Sequence, residues 1–184
     1  MTPAERERAL KYLAETRENL VRSTRHLSRA QMEFKPAPDR WSVAECLEHI
    51  VIAEDWILGK INASTVQQES GSFQSVMSDN DLDDRLKKAA ERATRVQAPE
   101  FLLPTGRWPH DQLLREFDAS RKRTADFVTS TNAALRQRGF PHPILGELDC
   151  YQWLLLIGGH GERHRAQAEE VMAHAAFPQA AAAV

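Results

Sequence analysis

Three helix-start signals, each followed by a long amphipathic stretch, constrain the fold of this chain more than any other feature of its sequence. Residues 2–5 (TPAE) combine an N-cap threonine, a proline at the first helical position and a capping-box glutamate. Residues 42–45 (SVAE) form a second capping box, and residues 149–152 (DCYQ) begin with an N-cap aspartate and carry glutamine three positions later. We therefore expect helices to dominate the chain.

Apolar residues recur with helical spacing after these signals, and again after a proline. The stripes predict four long helices at about 3–27, 42–64, 109–128 and 149–174, and a shorter helix at about 82–93. Stretches rich in polar residues, proline or glycine predict loops at 66–80, 98–109 and 139–146. Ser28 is expected to cap one further turn, and no β-hairpin is predicted.

Four long amphipathic helices of similar length predict an all-α fold, a four-helix bundle. The 184 residues fit one domain of ordinary size, so we expect residues 1–184 to form a single helical-bundle domain. A chain of this length can bury a core without disulfides or other staples.

The charge balance and the apolar runs exclude two classes of partner. With 24 basic and 26 acidic residues the formal net charge is -2, which gives no electrostatic argument for binding nucleic acid. The longest apolar run, at 154–157, is far too short to span a membrane, and the first residues lack the apolar segment of a secretory signal. We therefore expect a cytoplasmic protein without nucleic-acid or membrane partners.

A histidine pair in the predicted fourth helix is the first candidate for chemistry. His160 and His164 lie four residues apart and therefore project from one face of the helix. The apolar stripe that includes Ile157 and Ala168 passes through both positions, so the histidines replace apolar residues on the core-facing side. A buried imidazole must satisfy its ring nitrogens, and a metal ion can satisfy one of them. Such a pair also arises by chance, so it is weak evidence by itself. Two histidines also leave a catalytic zinc site one protein ligand short, so a third ligand is required.

The segment around this pair does not match the zinc-protease patterns. H-E-x-x-H would require glutamate at position 161, which is glycine, and H-x-x-E-H would require it at position 163, which is arginine. Glu162 lies about 200° around the helix from His160, since each residue turns about 100°. It is therefore a poor candidate for a base in the site.

His49 is the best candidate for the third ligand, because it is the single histidine in the middle of the predicted second helix. Glu45 lies one turn earlier, and Glu54 falls within the apolar stripe of the same helix, where a carboxylate is unusual. Either glutamate could act as a general base or support a ligand, and Glu54 could also be a fourth ligand. Glu54 could equally extend its carboxylate toward solvent or pair with an arginine, and we favour this structural interpretation.

The two cysteines, Cys46 and Cys150, do not suggest a disulfide framework, because no C-x-x-C pattern accompanies them. We favour the interpretation that both are small core residues in a reducing compartment. The alternative places Cys46, one helical turn before His49, beside the metal as a ligand or redox group.

Two segments resemble the signatures of a known family, the DinB/YfiT-like superfamily. The run RWSVAECLEH at 40–49 resembles its W-S-x-x-E-x-L-x-H signature, and QWLLLIGGHGERHRAQ at 152–167 resembles its H-x-x-R-H-x-x-Q element. The resemblance implies a four-helix bundle with long crossover connections, often dimeric. It also implies a metal, usually zinc or nickel, held by one histidine of the second helix and two of the fourth. Those positions are His49, His160 and His164 here.

Three functions stay open at this point. The resemblance implies a metal-dependent hydrolase acting on a small molecule, and some family members transfer low-molecular-weight thiols. Three imidazoles leave open positions on an ion, where a bound water or a thiol could be activated. A non-catalytic module whose ion pins two helices together is the second possibility, and a metal-free dimerising bundle is the third.

Overall fold

The structure of the chain, a computed structural model, describes residues 1–67, 73, 75, 77–93 and 96–179. Its helices are α1 Pro3–Thr24, α2 Arg29–Glu33, α3 Val43–Gln67, α4 Asp79–Ala90, α5 His110–Ser130 and α6 Cys150–Met172. Two short strands, β1 Gly139–His142 and β2 Gly146–Asp149, precede α6. Single turns of 3₁₀ helix lie at Glu100–Leu102 and Leu135–Gln137.

Helices α1, α3, α5 and α6 form the predicted four-helix bundle. Both α1 and α3 pack against α5 and against α6. The chain-order neighbours α1 and α3 therefore occupy diagonal corners of the bundle, as do α5 and α6. Diagonal corners require connections that cross the end of the bundle, so the long crossover connections are confirmed.

The three predicted helix starts are confirmed by their hydrogen bonds. The Thr2 hydroxyl accepts the Glu5 amide, and the Glu5 carboxylate accepts the Thr2 amide. Ser42 and Glu45 make the same reciprocal pair before α3. The Asp149 side chain accepts a backbone amide in the same way at the start of α6. Each capping box satisfies two donors that a helix N-terminus otherwise leaves unpaired.

The helix ends differ from the prediction by a few residues. Helix α1 ends at Thr24 rather than near residue 27, and Ser28 then caps α2 as expected. Helix α4 begins earlier than predicted because the Ser78 side chain caps it by accepting an amide hydrogen bond. Much of the predicted loop at 66–80 and the last residues of the alanine-rich tail lie outside the described residues.

The prediction that the chain contains no β-hairpin was wrong. Strands β1 and β2 pair antiparallel over 139–149, with Phe140 opposite Leu148. The prolines at 141 and 143 obscured the alternating pattern, because proline normally interrupts a strand. Gly146 has a φ of +78°, which suits glycine and lets the chain turn back. Phe140 then stacks on Trp153 of α6, which fixes the hairpin against the bundle.

Helix α6 lies at the centre of the packing, and two of its glycines allow close approach by neighbouring helices. A Cβ atom at Gly158 would lie 2.7 Å from the Tyr12 ring of α1, and one at Gly159 would lie 2.8 Å from Leu86 of α4. Such distances are shorter than van der Waals contact, so a side chain at Gly158 or Gly159 would force Tyr12 or Leu86 to move. Over the described residues, no helix combines the length and the apolar character required to cross a bilayer.

A buried ion pair connects the four helices of the bundle. Arg121 of α5 and Glu54 of α3 are only 3% and 1% exposed, and two guanidinium nitrogens face the carboxylate. Arg121 also donates to the Leu13 carbonyl (3.0 Å) and the Thr16 hydroxyl (2.7 Å) of α1. A Cβ at Gly161 of α6 would lie 3.2 Å from the same guanidinium. Each helix therefore contacts one arginine head group.

We expect Glu54→Gln to lower the free energy of unfolding by about 3–5 kcal/mol, because it leaves the buried guanidinium without its counter-charge. The matched control is Asp55→Asn, which removes an exposed pair with Arg123 between the same two helices. That change should cost less than about 1 kcal/mol. Urea unfolding measures both values, and equal small losses would contradict a central role for the buried pair.

Candidate metal centre

Three imidazoles from two helices converge at one point inside the bundle. His49 projects from α3, and His160 and His164 project from successive turns of α6. One potential ligand atom from each lies within 4.8 Å of the other two. Within the described residues, it is the one group of three or more histidine, cysteine or acidic side chains whose spacing suits a single metal ion. The structure therefore brings together all three histidines singled out in the sequence.

A backbone carbonyl orients the ring of His49. Its Nδ1 lies 2.8 Å from the carbonyl oxygen of Leu102, at the end of the 3₁₀ turn. A carbonyl can only accept, so Nδ1 must carry the proton of the neutral ring. The lone pair of the neutral ring is then on Nε2, the atom that faces His160 at 3.2 Å.

The loop that carries Leu102 is itself anchored by Glu48, the residue before His49. The buried Glu48 carboxylate accepts the backbone amides of Thr105 (2.8 Å), Gly106 (2.9 Å) and Arg107 (3.2 Å). Gly106 has a φ of +71°, a conformation that lets successive amides point at one acceptor. Adjacent residues of α3 thus supply a ligand candidate and the anchor of the loop that orients it.

The two histidines of α6 differ in their surroundings. His164 is buried, and its Nδ1 lies 3.0 Å from Oε1 of Gln167, one turn later. His160 is partly exposed as a residue, although its Nδ1 is buried and has no hydrogen-bond partner among the described residues. The hydrogen bonding of His160 therefore depends on Nε2, which points at the other imidazoles.

This donor set fits a divalent metal ion. Two nitrogens that bind one zinc at about 2.0–2.1 Å with tetrahedral angles lie about 3.3 Å apart, and the Nε2 atoms of His49 and His160 are 3.2 Å apart. Neutral imidazole suits zinc, nickel and copper, and a carbonyl or amide oxygen on the second ring nitrogen is the usual support. Both His49 and His164 have such a support.

Burial keeps the three rings neutral. Desolvation lowers the pKa of His49, opposed by its hydrogen bond to Leu102. Desolvation, followed by the charges of neighbouring histidines, places the pKa values of His160 and His164 well below the usual value. Because a metal ligand must be deprotonated, these environments favour ligation at neutral pH.

Trp41 covers one side of the cluster. Its ring centroid lies 4.8 Å from that of His49, and it stacks on His164 at 5.8 Å. Trp41 lies just before the cap of α3, and its ring contacts place it directly against two of the imidazoles. Its ring shields them from water on that side, and His160 is the partly exposed member of the cluster.

The two glutamates considered as bases are engaged elsewhere. Glu45 caps α3 and pairs with Lys35 at 2.8 Å, and Glu54 pairs with Arg121. Neither belongs to the imidazole cluster. Cys46 is fully buried and also lies outside the cluster, and desolvation raises the pKa of its thiol. Glu54 is therefore part of a buried ion pair and Cys46 is a small core residue, in agreement with the structural interpretations favoured from the sequence.

Sequence reasoning missed the groups that orient the rings. Glu48 acts through a loop more than fifty residues away in sequence, and no pattern within α3 distinguishes it from a surface glutamate. Gln167 carried a signal, because it lies one turn after His164 within the resemblance segment. The Leu102 carbonyl is backbone, so no residue type could have indicated it.

The shifted histidines predict that the metal-free protein loses stability in acid. In the unfolded chain histidine becomes protonated below about pH 6.5, whereas the lowered pKa values keep the folded rings neutral. The unfolded state therefore binds more protons, and the free energy of unfolding falls as the pH drops below about 6.5. Each withheld proton contributes a slope of about 1.4 kcal/mol per pH unit. His164→Leu should flatten the slope measured by urea unfolding between about pH 7.5 and 5.5. The exposed control His26→Leu should not, and equal slopes in both variants would contradict the assignment.

Comparison with known proteins gives consistent matches to the fold and the family. The sequence profile of the DinB superfamily matches residues 12–168. The protein YuaE of Bacillus subtilis (strain 168) is 28% identical over 150 residues, which is 79% of this chain and 85% of YuaE. The solved structure of YfiT from Bacillus subtilis, described as a probable metal-dependent hydrolase with an unusual four-helix bundle topology, has a TM-score of 0.62.

The YfiT match covers 94% of this chain and 88% of YfiT at 14% sequence identity, so it establishes the shared fold. The family profile extends over most of the chain and includes all three histidines of the cluster. The chain therefore belongs to the DinB superfamily.

Proposed function

We propose that His49, His160 and His164 bind one divalent ion, zinc or nickel, and that the chain is a metal-dependent hydrolase of a small molecule. The observation that carries the proposal is the convergence of three desolvated imidazoles, one of which is partly exposed. Three protein ligands with one open side are typical of catalytic rather than structural zinc sites. YfiT, which shares the fold, is described as a probable metal-dependent hydrolase.

A divalent ion on three imidazoles supplies Lewis acidity and lowers the pKa of a bound water toward neutrality. The residues of the chain hold the protons in place for that chemistry. Leu102 keeps a proton on Nδ1 of His49, which leaves Nε2 available as a ligand atom. Trp41 excludes water from one side of the cluster, so that substrate approaches past His160.

Glu54 has a structural role in this proposal. Desolvation raises the pKa of its carboxyl group, and the charge of Arg121 opposes that rise. A carboxylate engaged by two guanidinium nitrogens has little freedom to accept a proton from a substrate. Glu45 is likewise occupied at the helix cap. Proton transfer during hydrolysis would then fall to substrate groups or to solvent at the open side.

Thiol transfer is the second candidate, and one observation favours it. Among the described residues, no carboxylate joins the imidazole cluster to act as a general base. A thiol has less need of a general base than water has, because its pKa is lower and it loses its proton on binding a metal. The site would then activate a small thiol for attack on an electrophilic substrate. The carbon–sulfur bond would form as the bond to the substrate's leaving group breaks, the leaving group would depart with that electron pair, and the thiol proton would go to solvent.

The metal site predicts a specific metal content. Protein purified without a His-tag should contain about one equivalent of zinc or nickel by elemental analysis, and His160→Ala should lose it because two imidazoles bind too weakly. The exposed control His26→Ala should keep the wild-type content. If wild type contains no metal, even after incubation with zinc and nickel, the proposal fails.

Activity assays distinguish the candidate functions. Zinc-loaded protein is expected to hydrolyse ester or amide substrates in a broad panel, and His49→Ala should remove that activity while the fold is retained. Consumption of a small thiol with an electrophile, without hydrolysis, would instead support thiol transfer. If chelation unfolds the protein and neither activity is found, the ion has a purely structural role.

A further inference from the structure

Arg92 lies immediately after α4 and inserts its head group beside the candidate metal centre. Its side chain is only 9% exposed. Nη1 donates to Oε1 of Gln167 at 2.9 Å, and Nε donates to Oε1 of Glu170 at 2.7 Å. Gln167 is the residue that contacts His164. Arg92 is therefore connected to His164, a candidate metal ligand, through the single side chain of Gln167.

The amide of Gln167 receives two donors on one oxygen. Its Oε1 lies 2.9 Å from Nη1 of Arg92 and 3.0 Å from Nδ1 of His164. A guanidinium has no acceptor, so the amide cannot rotate to present its NH₂ group to Arg92. Because the oxygen is held in this position, the neutral ring of His164 must carry its proton on Nδ1. The lone pair of His164 is then on Nε2, as it is in His49.

The backbone of Arg92 supports a role for its side chain. Arg92 is the one non-glycine residue with positive φ among those described, at 55°. It follows the C-cap of α4, a position where glycine is common because it adopts this conformation without strain. An arginine in a strained conformation suggests that its head group offsets the cost.

We propose that Arg92 is a positioning residue for the metal centre: through the Gln167 amide it fixes His164 in the Nδ1–H tautomer and presents Nε2 to the ion. The consequence for metal binding rests on the proposed function, whereas the effect on the tautomer does not. Docking of α4 on α6 does not depend on Arg92 alone, because Arg163 donates to the Ala89 carbonyl at 2.5 Å.

The test measures the imidazole ¹⁵N shifts of His164 in metal-free protein at about pH 8. Wild type should show the Nδ1–H tautomer. Arg92→Gly relieves the backbone strain but releases the amide, so a population with the proton on Nε2 should appear. The control Glu170→Gln removes the charged partner of Arg92 and keeps its contact with Gln167, so the wild-type tautomer should persist.

A rescue variant separates positioning from general destabilisation. Gln167→Glu places a carboxylate beside His164, which accepts the Nδ1 proton without help from Arg92. Arg92→Gly combined with Gln167→Glu should therefore restore the Nδ1–H tautomer. Wild-type shifts in Arg92→Gly alone, or failure of the double variant to restore the tautomer, would overturn the proposal.

Zinc affinity gives the second readout, measured by competition titration with zinc alone. Arg92→Gly should bind zinc about 10–100-fold more weakly than wild type, as expected when an outer partner of a ligand is lost. The double variant should regain most of the affinity. Unchanged affinity in Arg92→Gly would overturn the proposed effect on the metal. If wild type binds neither zinc nor nickel, the proposed function fails, and the tautomer measurement still decides the role of Arg92.

Discussion

The buried pair of Arg121 and Glu54 is the interaction on which the arrangement of the bundle depends. The guanidinium contacts α1 and α3 through hydrogen bonds and closely approaches α6 at Gly161, next to His160. A charged group removed from water must keep all of its partners, so the four helices are held in one mutual position. That position brings His49 of α3 opposite the two histidines of α6. The geometry of the candidate metal centre thus follows from packing.

Groups outside the cluster decide which ring nitrogen is available. The Leu102 carbonyl and the Gln167 amide oxygen each hold a proton on Nδ1, which leaves Nε2 of His49 and His164 as lone-pair donors. Desolvation keeps the rings neutral even when three of them lie together. The charge of the three rings and the tautomers of His49 and His164 are therefore set before any ion arrives, which is part of the preorganisation that a metal site requires.

The sequence predicted what depends on local periodicity and missed what depends on distant contacts. The capping boxes located the starts of α1, α3 and α6, and helical spacing placed His160 and His164 on the core-facing side. The hairpin before α6 was missed because it is stabilised by packing of Phe140 on Trp153. Glu48 was missed because its partners at 105–107 are remote in sequence.

Anomalous diffraction from crystals of zinc-loaded protein, recorded at the zinc edge, tests the central claim most directly. The account predicts one strong peak about 2.0–2.1 Å from a nitrogen of each of His49, His160 and His164, with at least one position open to solvent. A peak coordinated by the Cys46 sulfur, or located away from the cluster while the three rings stay in place, would contradict it.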